Sequence, residues 1–133
     1  MKHLIFALAL VMGIYFSASA QNAHPKVIAL LTKASWCPVC QANGPRFQKD
    51  IMPMVMENKD VEMVMSDLSD NNSKAMSKEM LEKAGIYKFA EKNPATGMLY
   101  FFNAKSKKLI SKVSLASSNE EIKESYQTAL RKG

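Results

Sequence analysis

Two cysteines, Cys37 and Cys40, are the only cysteines of this 133-residue chain, and both lie in the stretch SWCPVCQANGP at positions 35–45. A pair with this spacing can be a structural disulfide, part of a metal site or a redox-active dithiol. The spacing alone does not choose between these three possibilities. The elements around the pair narrow the choice.

Cys37 falls where a strand is predicted to end and a helix to begin. The apolar run at 26–32 (KVIALLT) is typical of a strand buried on both faces, and the residues at 38–50 are typical of a helix with Pro38 in its first position. A thiol at a helix N-terminus faces unpaired amides and the positive end of the macrodipole, which favour the thiolate. Cys40 lies one turn further and is expected to be better buried. We therefore predict that Cys37 attacks a partner disulfide and that Cys40 resolves the mixed disulfide.

The remaining elements complete one α/β domain. Pro45 is expected to kink the first helix, and Pro53 to end or redirect it. The other predicted elements are a strand at 60–67, a helix at 71–86 with Gly85 as its stop signal, strands at 98–103 and 108–115, and a helix from Ser117 or Ser118 to about Leu130. The order strand-helix-strand-helix-strand-strand-helix predicts a mixed central sheet flanked by helices, with one parallel pair and one antiparallel hairpin.

The first residues predict export. A short basic start at Lys2 precedes an apolar run at 4–16, and SASA at 17–20 matches a cleavage site. Residues 1–20 are therefore interpreted as a signal peptide and 21–133 as the mature domain. The run is shorter than the ~20 residues of a spanning helix, so no stable membrane insertion is expected. A periplasmic or secreted location would place the cysteines in an oxidising compartment.

The charge of the chain does not indicate a nucleic-acid-binding protein. The chain carries 18 Lys and Arg against 12 Asp and Glu. Most lysines are dispersed, and the densest group, formed by Lys105, Lys107, Lys108 and Lys112, falls at the predicted hairpin turn. A solvated turn is the favoured interpretation of this group. We expect a monomer that binds neither nucleic acid nor a membrane surface.

The segment WCPVCQANGP resembles the active-site segment of the thioredoxin superfamily, which has a tryptophan, two cysteines and a kink-forming proline in this order. The later MSDLSDNN is similar to the corresponding segment of exported members, such as the periplasmic C-terminal domain of the transmembrane thiol:disulfide interchange protein. The resemblance covers nearly all of 21–133 and implies a thioredoxin fold. It also implies a thiol:disulfide oxidoreductase that exchanges disulfides with proteins through a Cys37–Cys40 disulfide, needs no other cofactor and is recharged by a redox partner.

The resemblance also implies a substrate groove beside the cysteines. Trp36 would shield one side of the pair and offer a flat contact surface, and Pro38, Gly97 and Met98 are the other residues expected to line the groove. The direction of electron flow stays open at this stage, because it depends on how far the reduced thiolate is stabilised.

This sequence departs from the family pattern before the third strand, where the family has a cis-proline. Thr96 or Gly97 occupies that place by counting, and Pro94 comes two or three residues too early. An inserted segment, KFAEKN, could bring a cis Pro94 to the cysteines. The favoured alternative is a trans loop that leaves Gly97 and Met98 beside Cys37.

A second departure concerns buried charge. The family's buried aspartate and its lysine partner correspond to Leu31 and Met65 in this chain. Loss of both charges is coherent, because a lone buried charge is costly. We therefore expect no buried acid that could accept the proton of Cys40.

The sequence bears on several alternatives to a redox pair. A disulfide that closes so short a loop stabilises the folded state little, which argues against a structural staple. Zinc prefers four ligands, and His24 is the only histidine in 21–133, so no metal site is expected. A two-thiolate copper(I) carrier, or a thioredoxin-fold binding protein with a static disulfide, stays open as the alternative function.

Overall fold

The computed structural model describes residues 24–133, and the predicted signal peptide at 1–20 lies outside the described residues. The elements in this part of the chain are β1 (Val27–Lys33), α1 (Pro38–Asp50), α2 (Met52–Glu57), β2 (Val61–Asp67), α3 (Asn71–Ala84), α4 (Tyr87–Lys92), β3 (Met98–Asn103), β4 (Leu109–Ser114) and α5 (Asn119–Lys132). None of the helices described is both long and apolar enough to cross a membrane.

The four strands form one mixed sheet in the order β2-β1-β3-β4. Strand β1 pairs in parallel with β2 and antiparallel with β3, and β3 and β4 form an antiparallel hairpin. This architecture confirms the predicted mixed sheet with one parallel pair and one hairpin. Central strand β1 is buried along its length except at Lys33, as its apolar sequence predicts.

The two faces of β1 enter two separate hydrophobic cores, because side chains alternate across a strand. Val27, Ala29 and Leu31 belong to a core that includes residues of α1, α2 and α5. Ile28 and Leu30 belong to the core on the opposite face, which includes residues of α3 and α4. Both faces of the sheet are therefore covered by helices, and the C-terminal end of β1 delivers the chain to the cysteine segment.

Several helix ends follow the capping rules. The Asp70 side chain accepts a hydrogen bond of 2.8 Å from the Ser73 amide at the start of α3, and Gly85 ends that helix with φ +76°. At the start of α5, Ser118 and Glu121 form the reciprocal bonds of a capping box. Helix α3 ends at Ala84, slightly before the predicted boundary at residue 86, because Gly85 adopts the left-handed conformation.

Helix α2 is a short element that the sequence reading did not separate from its neighbour. Helix α1 ends at Asp50, and Pro53 falls within the first two positions of α2. A proline is tolerated at the start of a helix because the first amides have no intrahelical partner. Pro53 therefore marks the start of a second helix, α2, directly after α1.

Helix α4 covers most of the segment KFAEKN at 88–93, for which the sequence predicts only an insertion before the third strand. Its N-cap, Ile86, makes no side-chain hydrogen bond to the helix, and its first turn holds no acidic residue. Tertiary packing stabilises it instead, because the Phe89 ring stacks edge to face on Tyr100 and Phe102 of β3, with centroid distances of 5.1 and 4.8 Å. A helix held mainly by such contacts lacks the usual sequence signals.

Thr32 provides a first prediction on stability. Its side chain is buried in β1, and Oγ1 has no hydrogen-bond partner among residues 24–133. Thr32→Val removes this unpaired hydroxyl and is expected to raise the free energy of unfolding by about 1 kcal/mol in urea denaturation. Ser77→Ala is the contrasting control, because Ser77 Oγ is buried but accepts a bond of 2.8 Å from the Asp67 amide. A loss of stability in Thr32→Val as large as in Ser77→Ala would contradict this interpretation.

Candidate active site

Cys37 is the N-cap residue of α1. Its backbone is extended, with φ −77° and ψ 116°, and Pro38 takes the first helical position. The Cys37 Sγ atom accepts a hydrogen bond of 3.1 Å from the backbone amide of Cys40. The cysteine sulfur thus acts as the capping acceptor, which is the position that the sequence predicted for it.

The hydrogen bonds around Cys37 favour its thiolate. Burial by itself raises the pKa of this thiol. Hydrogen bonds from the side chains of Cys40 and Thr96 and from the amides of Cys40 and Val39 outweigh burial, so the pKa of Cys37 lies below that of an ordinary thiol.

The environment of Cys40 has the opposite effect. Burial raises the pKa of the Cys40 thiol, and its hydrogen bond to Cys37 and the charge of Cys37 raise it further; smaller backbone contributions do not reverse the direction. Cys40 therefore holds a proton at a pH where Cys37 has begun to lose its own. The two thiols form an asymmetric pair with one shared hydrogen bond.

The burial of the two residues differs from the expectation. Cys37 is only 1% exposed, whereas Cys40 is partly exposed. By exposed surface Cys37 is the better buried residue, contrary to the prediction, although burial is also the largest cause that raises the pKa of the Cys40 thiol. Cys37 nevertheless belongs to neither hydrophobic core, so a local cover hides it from solvent.

Gly97 forms part of this cover over Cys37. A Cβ atom at Gly97 would lie 3.6 Å from Cys37 Sγ and only 2.7 Å from Val39 Cγ1, and the residue adopts φ +76°. Its amide donates to the Thr32 carbonyl at 2.7 Å, and its own carbonyl accepts from the Leu115 amide at 2.8 Å. These two bonds fix the loop before β3 between β1 and the end of β4, with Gly97 directly against the start of α1.

Cys40 instead opens onto a cavity of about 690 Å³. Gly44 lies one turn further along the same face of α1, and a Cβ atom there would meet no other atom within 4 Å. The missing side chain at Gly44 therefore contributes to the open space next to Cys40. Other lining residues include Gln41, Phe47, Met52, Met65, Ser69 and Ser73.

A charged pair lines the same cavity. Lys33 Nζ lies 2.9 Å from Asp67 Oδ2, and the two residues are paired in register on β1 and β2. Burial raises the pKa of Asp67, but hydrogen bonds from Ser69 and Lys33 outweigh it and keep this pKa below the usual range. Lys33 follows Leu31 by two residues in β1, and Asp67 follows Met65 by two residues in β2, so each lies on the same face of its strand as the earlier residue. The sequence reading missed it because strand register is not visible from one strand alone.

The proposed groove residues lie in different environments. Trp36 is 58% exposed and Pro38 is exposed, next to Cys37 in the chain. Gly97 is buried against Cys37, as described above. Met98 is partly buried and packs against the core on the α3 and α4 side of the sheet. A role in substrate binding remains a prediction for all of these residues.

Pro94 does not approach the cysteines as a cis-proline. None of the peptide bonds described is cis, so the bond between Asn93 and Pro94 is trans. Pro94 is exposed and lines a separate cavity together with Tyr87 and Glu91. The loop before β3 therefore has the trans arrangement, and Thr96 and Gly97 take the place beside the cysteine pair.

Arg46 anchors α1 to the other side of the domain. Its guanidinium donates to Asn119 Oδ1 at 2.6 Å and to the carbonyls of Leu115 and Ser117 at 2.6 and 2.9 Å. These bonds connect the helix that carries the cysteines with the turn between β4 and α5. The sequence reading missed this residue, because its partners lie about seventy positions away.

The described part of the chain holds no group of three or more His, Cys, Asp and Glu side chains that could bind a metal ion.

Thr96→Val is expected to raise the pKa of Cys37, because it removes one hydrogen bond to the thiolate and leaves burial in place. Because the pKa of Cys37 is lowered in the native protein, its reactivity with an alkylating agent rises at a lower pH than that of an ordinary thiol. In Thr96→Val this rise should move to higher pH. Below the pKa, alkylation by iodoacetamide should slow by roughly tenfold, the effect of one charge-assisted hydrogen bond. Thr128→Val, in α5, is the matched control. An unchanged pH profile in Thr96→Val would contradict this role.

Comparison with solved structures supports a thioredoxin fold. No family model and no curated protein matches the chain. A solution structure from Bacteroides thetaiotaomicron, described as a "putative protein disulfide isomerase", has a TM-score of 0.52 and 20% identity, and the match covers 79% of this chain and 72% of that one. Thioredoxin from Wuchereria bancrofti has a TM-score of 0.48 and 22% identity over 80% of this chain and 83% of that one. With the observed sheet and flanking helices, the first similarity identifies a thioredoxin fold.

Proposed function

We propose that this thioredoxin-fold chain is a thiol:disulfide oxidoreductase that cycles Cys37 and Cys40 between dithiol and disulfide while it exchanges disulfides with proteins. The observation that carries the proposal is the asymmetry of the pair. The pKa of Cys37 is lowered and that of Cys40 is raised, and the Cys40 amide donates to Cys37 Sγ at 3.1 Å. A static disulfide does not need such an arrangement, whereas thiol–disulfide exchange depends on the thiolate.

The proposed reaction has two steps. The Cys37 thiolate attacks one sulfur of a protein disulfide, so that a mixed disulfide forms and one substrate thiolate leaves. Cys40 then loses its proton and attacks Cys37 Sγ, which releases the second substrate thiolate and closes the Cys37–Cys40 disulfide. The chain gives up two electrons and two protons, and the substrate becomes a dithiol. The reverse sequence delivers a disulfide to substrate thiols and uses the same residues.

Recognition of protein substrates would rest on the surface next to Cys37. The exposed indole of Trp36 and the ring of Pro38 offer an apolar contact area beside the reactive sulfur. The buried Gly97 would present backbone to an extended segment. Because substrate proteins approach at this surface, we propose that Trp36 contributes more to their binding than to the chemistry of the thiols.

Export and recharging complete the proposed function. If residues 1–20 are cleaved as a signal peptide, the domain works in the periplasm or outside the cell, where a separate redox partner restores the active form of the pair. Fractionation of cells that express the full chain tests this part. Cleavage and recovery outside the cytoplasm support it, and an intact chain in the cytoplasm contradicts it.

An insulin reduction assay tests the catalytic function. With dithiothreitol as reductant, the reduced chain is expected to accelerate cleavage of the interchain disulfides of insulin, followed as turbidity. The matched control is the double variant Cys37→Ser, Cys40→Ser, which keeps residues of similar size at both positions. Acceleration by the native chain alone supports the proposal. Equal rates for both proteins would contradict it and favour a binding protein whose cysteines are not turned over.

A further inference from the structure

We propose that Arg46 is a positioning residue for Cys37, because its guanidinium ties together the two segments whose contact covers the cysteine sulfur. One segment is the start of α1, which carries Cys37 and Val39, and the other is the loop before β3 at Gly97. The inference rests on the proposed function, in which Cys37 is the thiol that attacks substrates. It adds to that function a residue whose effect on the sulfur passes through other residues.

One side of the guanidinium leads to Gly97. Arg46 Nη2 donates to the Leu115 carbonyl at 2.6 Å and to the Ser117 carbonyl at 2.9 Å. The amide of the same Leu115 donates to the Gly97 carbonyl at 2.8 Å. Leu115 is buried, and within residues 24–133 no other donor reaches the Leu115 or the Ser117 carbonyl. Loss of the guanidinium would leave these acceptors without a partner in the described domain and would loosen the turn that holds Gly97.

The other side of the guanidinium leads to Val39. The same nitrogen donates to Asn43 Oδ1 at 3.2 Å, and Asn43 Nδ2 donates to the Val39 carbonyl at 2.9 Å. A Cβ atom at Gly97 would lie only 2.7 Å from Val39 Cγ1 and 3.6 Å from Cys37 Sγ. The contacts therefore form a closed ring, which runs from the guanidinium through Asn43 and Val39 to Gly97 and back through the turn after β4. The contact that hides Cys37 is one link of this ring.

Arginine suits this position by its geometry more than by its charge. Its Nη1 atom donates to Asn119 Oδ1 at 2.6 Å, so one planar group binds four oxygen atoms, all of them on amide or peptide groups. The Asp50 carboxylate in turn accepts from Asn119 Nδ2 at 3.1 Å. A lysine carries three donors on one atom and does not reproduce the fork of a guanidinium. Arg46→Lys therefore keeps the charge and breaks the ring.

The ring also bears on the ionisation of Cys37. The side chain of Thr96, next to Gly97 in the chain, and the amide of Val39 both donate hydrogen bonds that lower the pKa of Cys37. One of these donors lies on each side of the contact that the ring closes. Both bonds therefore depend on the ring, and its opening should move the pKa of Cys37 toward that of an ordinary thiol.

The measurement is the rate at which iodoacetamide alkylates Cys37 in the reduced protein as the pH is raised, with the adduct located by mass spectrometry. In Arg46→Met the midpoint of this profile should rise by about 0.5 pH unit, or roughly threefold in the ionisation constant, which is within the range of one hydrogen bond. Arg46→Lys should give the same shift. Arg131→Met is the matched control, because the exposed Arg131 donates to Thr128 within α5.

Two asparagine variants test the ring itself, and they also serve if Arg46→Met does not fold. Asn43→Ala breaks the ring on the Val39 side and should raise the midpoint in the same direction as Arg46→Met. Alanine favours helix more than asparagine does, so this change does not weaken α1 locally. Asn119→Ala removes a guanidinium bond of 2.6 Å that leads away from Gly97, and it should leave the midpoint unchanged.

The outcomes separate this inference from the proposed function. A native midpoint in Arg46→Met or in Asn43→Ala, a native midpoint in Arg46→Lys, or an equal shift in Asn119→Ala would overturn the positioning role. The insulin assay on the native chain does not depend on these results, so the oxidoreductase function stands if the ring alone fails. A native Cys37 that titrates as an ordinary thiol, in a chain that leaves insulin intact, would contradict both proposals.

Discussion

Cys40→Ser is expected to accumulate mixed disulfides with protein substrates, and Cys37→Ser is expected to accumulate few. In Cys40→Ser the thiol of Cys37 still accepts hydrogen bonds from Thr96 and from the backbone amides of residues 39 and 40. It therefore attacks a protein disulfide, and no second thiol is present to resolve the mixed disulfide. In Cys37→Ser the remaining thiol lies inside α1 and is not the N-cap acceptor. Incubation of each reduced variant with oxidised, unfolded ribonuclease A, followed by non-reducing electrophoresis, measures the trapped species.

The expected difference is at least about tenfold in trapped complex, because exchange depends on the fraction and reactivity of the thiolate. The double serine variant gives the background, and circular dichroism of all three proteins checks that they are folded. Exposure alone makes the opposite prediction, since Cys40 is the more exposed residue and Cys37 is 1% exposed. Equal trapping, or more trapping by Cys37→Ser, would therefore show that accessibility and not thiolate stabilisation decides which cysteine attacks proteins.

Much of the fold was predictable because local signals and long-range packing agree. Strand β1 is apolar from Val27 to Leu31 and lies inside the sheet, and β3 spans Met98–Asn103, as its continuous apolar and aromatic run predicts. The position of Cys37 at the start of α1 also follows from local sequence. Proline fits the first position of a helix without the loss of a hydrogen bond, so Pro38 predicts that the helix begins directly after Cys37. The start of α5 was predictable for the same reason, from the capping box at Ser118.

The burial of the two cysteines was not predictable, because it depends on residues distant in the chain. Gly97 reaches Cys37 only after β1, β3 and β4 have assembled, since its two backbone bonds go to Thr32 and Leu115. The partial exposure of Cys40 depends on a cavity whose walls come from β1, β2, α1 and α3. Helical periodicity alone placed Cys40 inside the domain. It could not show that Gly44 leaves a gap on the same face.

The ion pair of Lys33 and Asp67 illustrates the same limit. Each residue is the last of its strand, and each alone is an unremarkable charge at a strand end. Their pairing follows from the parallel register of β1 and β2. Val27 lies opposite Val61, and continuing this register along both strands places Lys33 opposite Asp67. The family pattern has its charged pair two residues earlier, at the positions of Leu31 and Met65, and so does not predict a charge at 33 or 67. The register of the two strands places Asp67 in the wall of the Cys40 cavity, which the sequence of neither strand shows by itself.

Gly97→Ala is expected to lower the free energy of unfolding by roughly 3 kcal/mol, because two unfavourable effects add at this position. An alanine at φ +76° is strained, and its Cβ atom would lie 2.7 Å from Val39 Cγ1 and 2.9 Å from Val39 Cβ. Neither Val39, in the first turn of α1, nor the loop, held by two backbone hydrogen bonds, can move without cost. Urea denaturation of the reduced protein measures the loss.

Gly85→Ala separates the two effects, because Gly85 has the same φ of +76° but a different neighbour. The nearest atom to a Cβ there is Lys107 Cε at 3.1 Å, on a flexible side chain that can move aside. This variant should therefore lose only about 1 kcal/mol, the cost of the left-handed backbone for alanine. The double variant Gly97→Ala, Val39→Ala should recover part of the loss at Gly97, because the Cγ1 methyl that lies 2.7 Å away is gone while Val39 Cβ remains. The double-mutant cycle gives the size of the contact. Equal losses at Gly85 and Gly97, or no recovery with Val39→Ala, would show that the loop does not press on α1. The cover over Cys37 would then be looser than its 1% exposure implies.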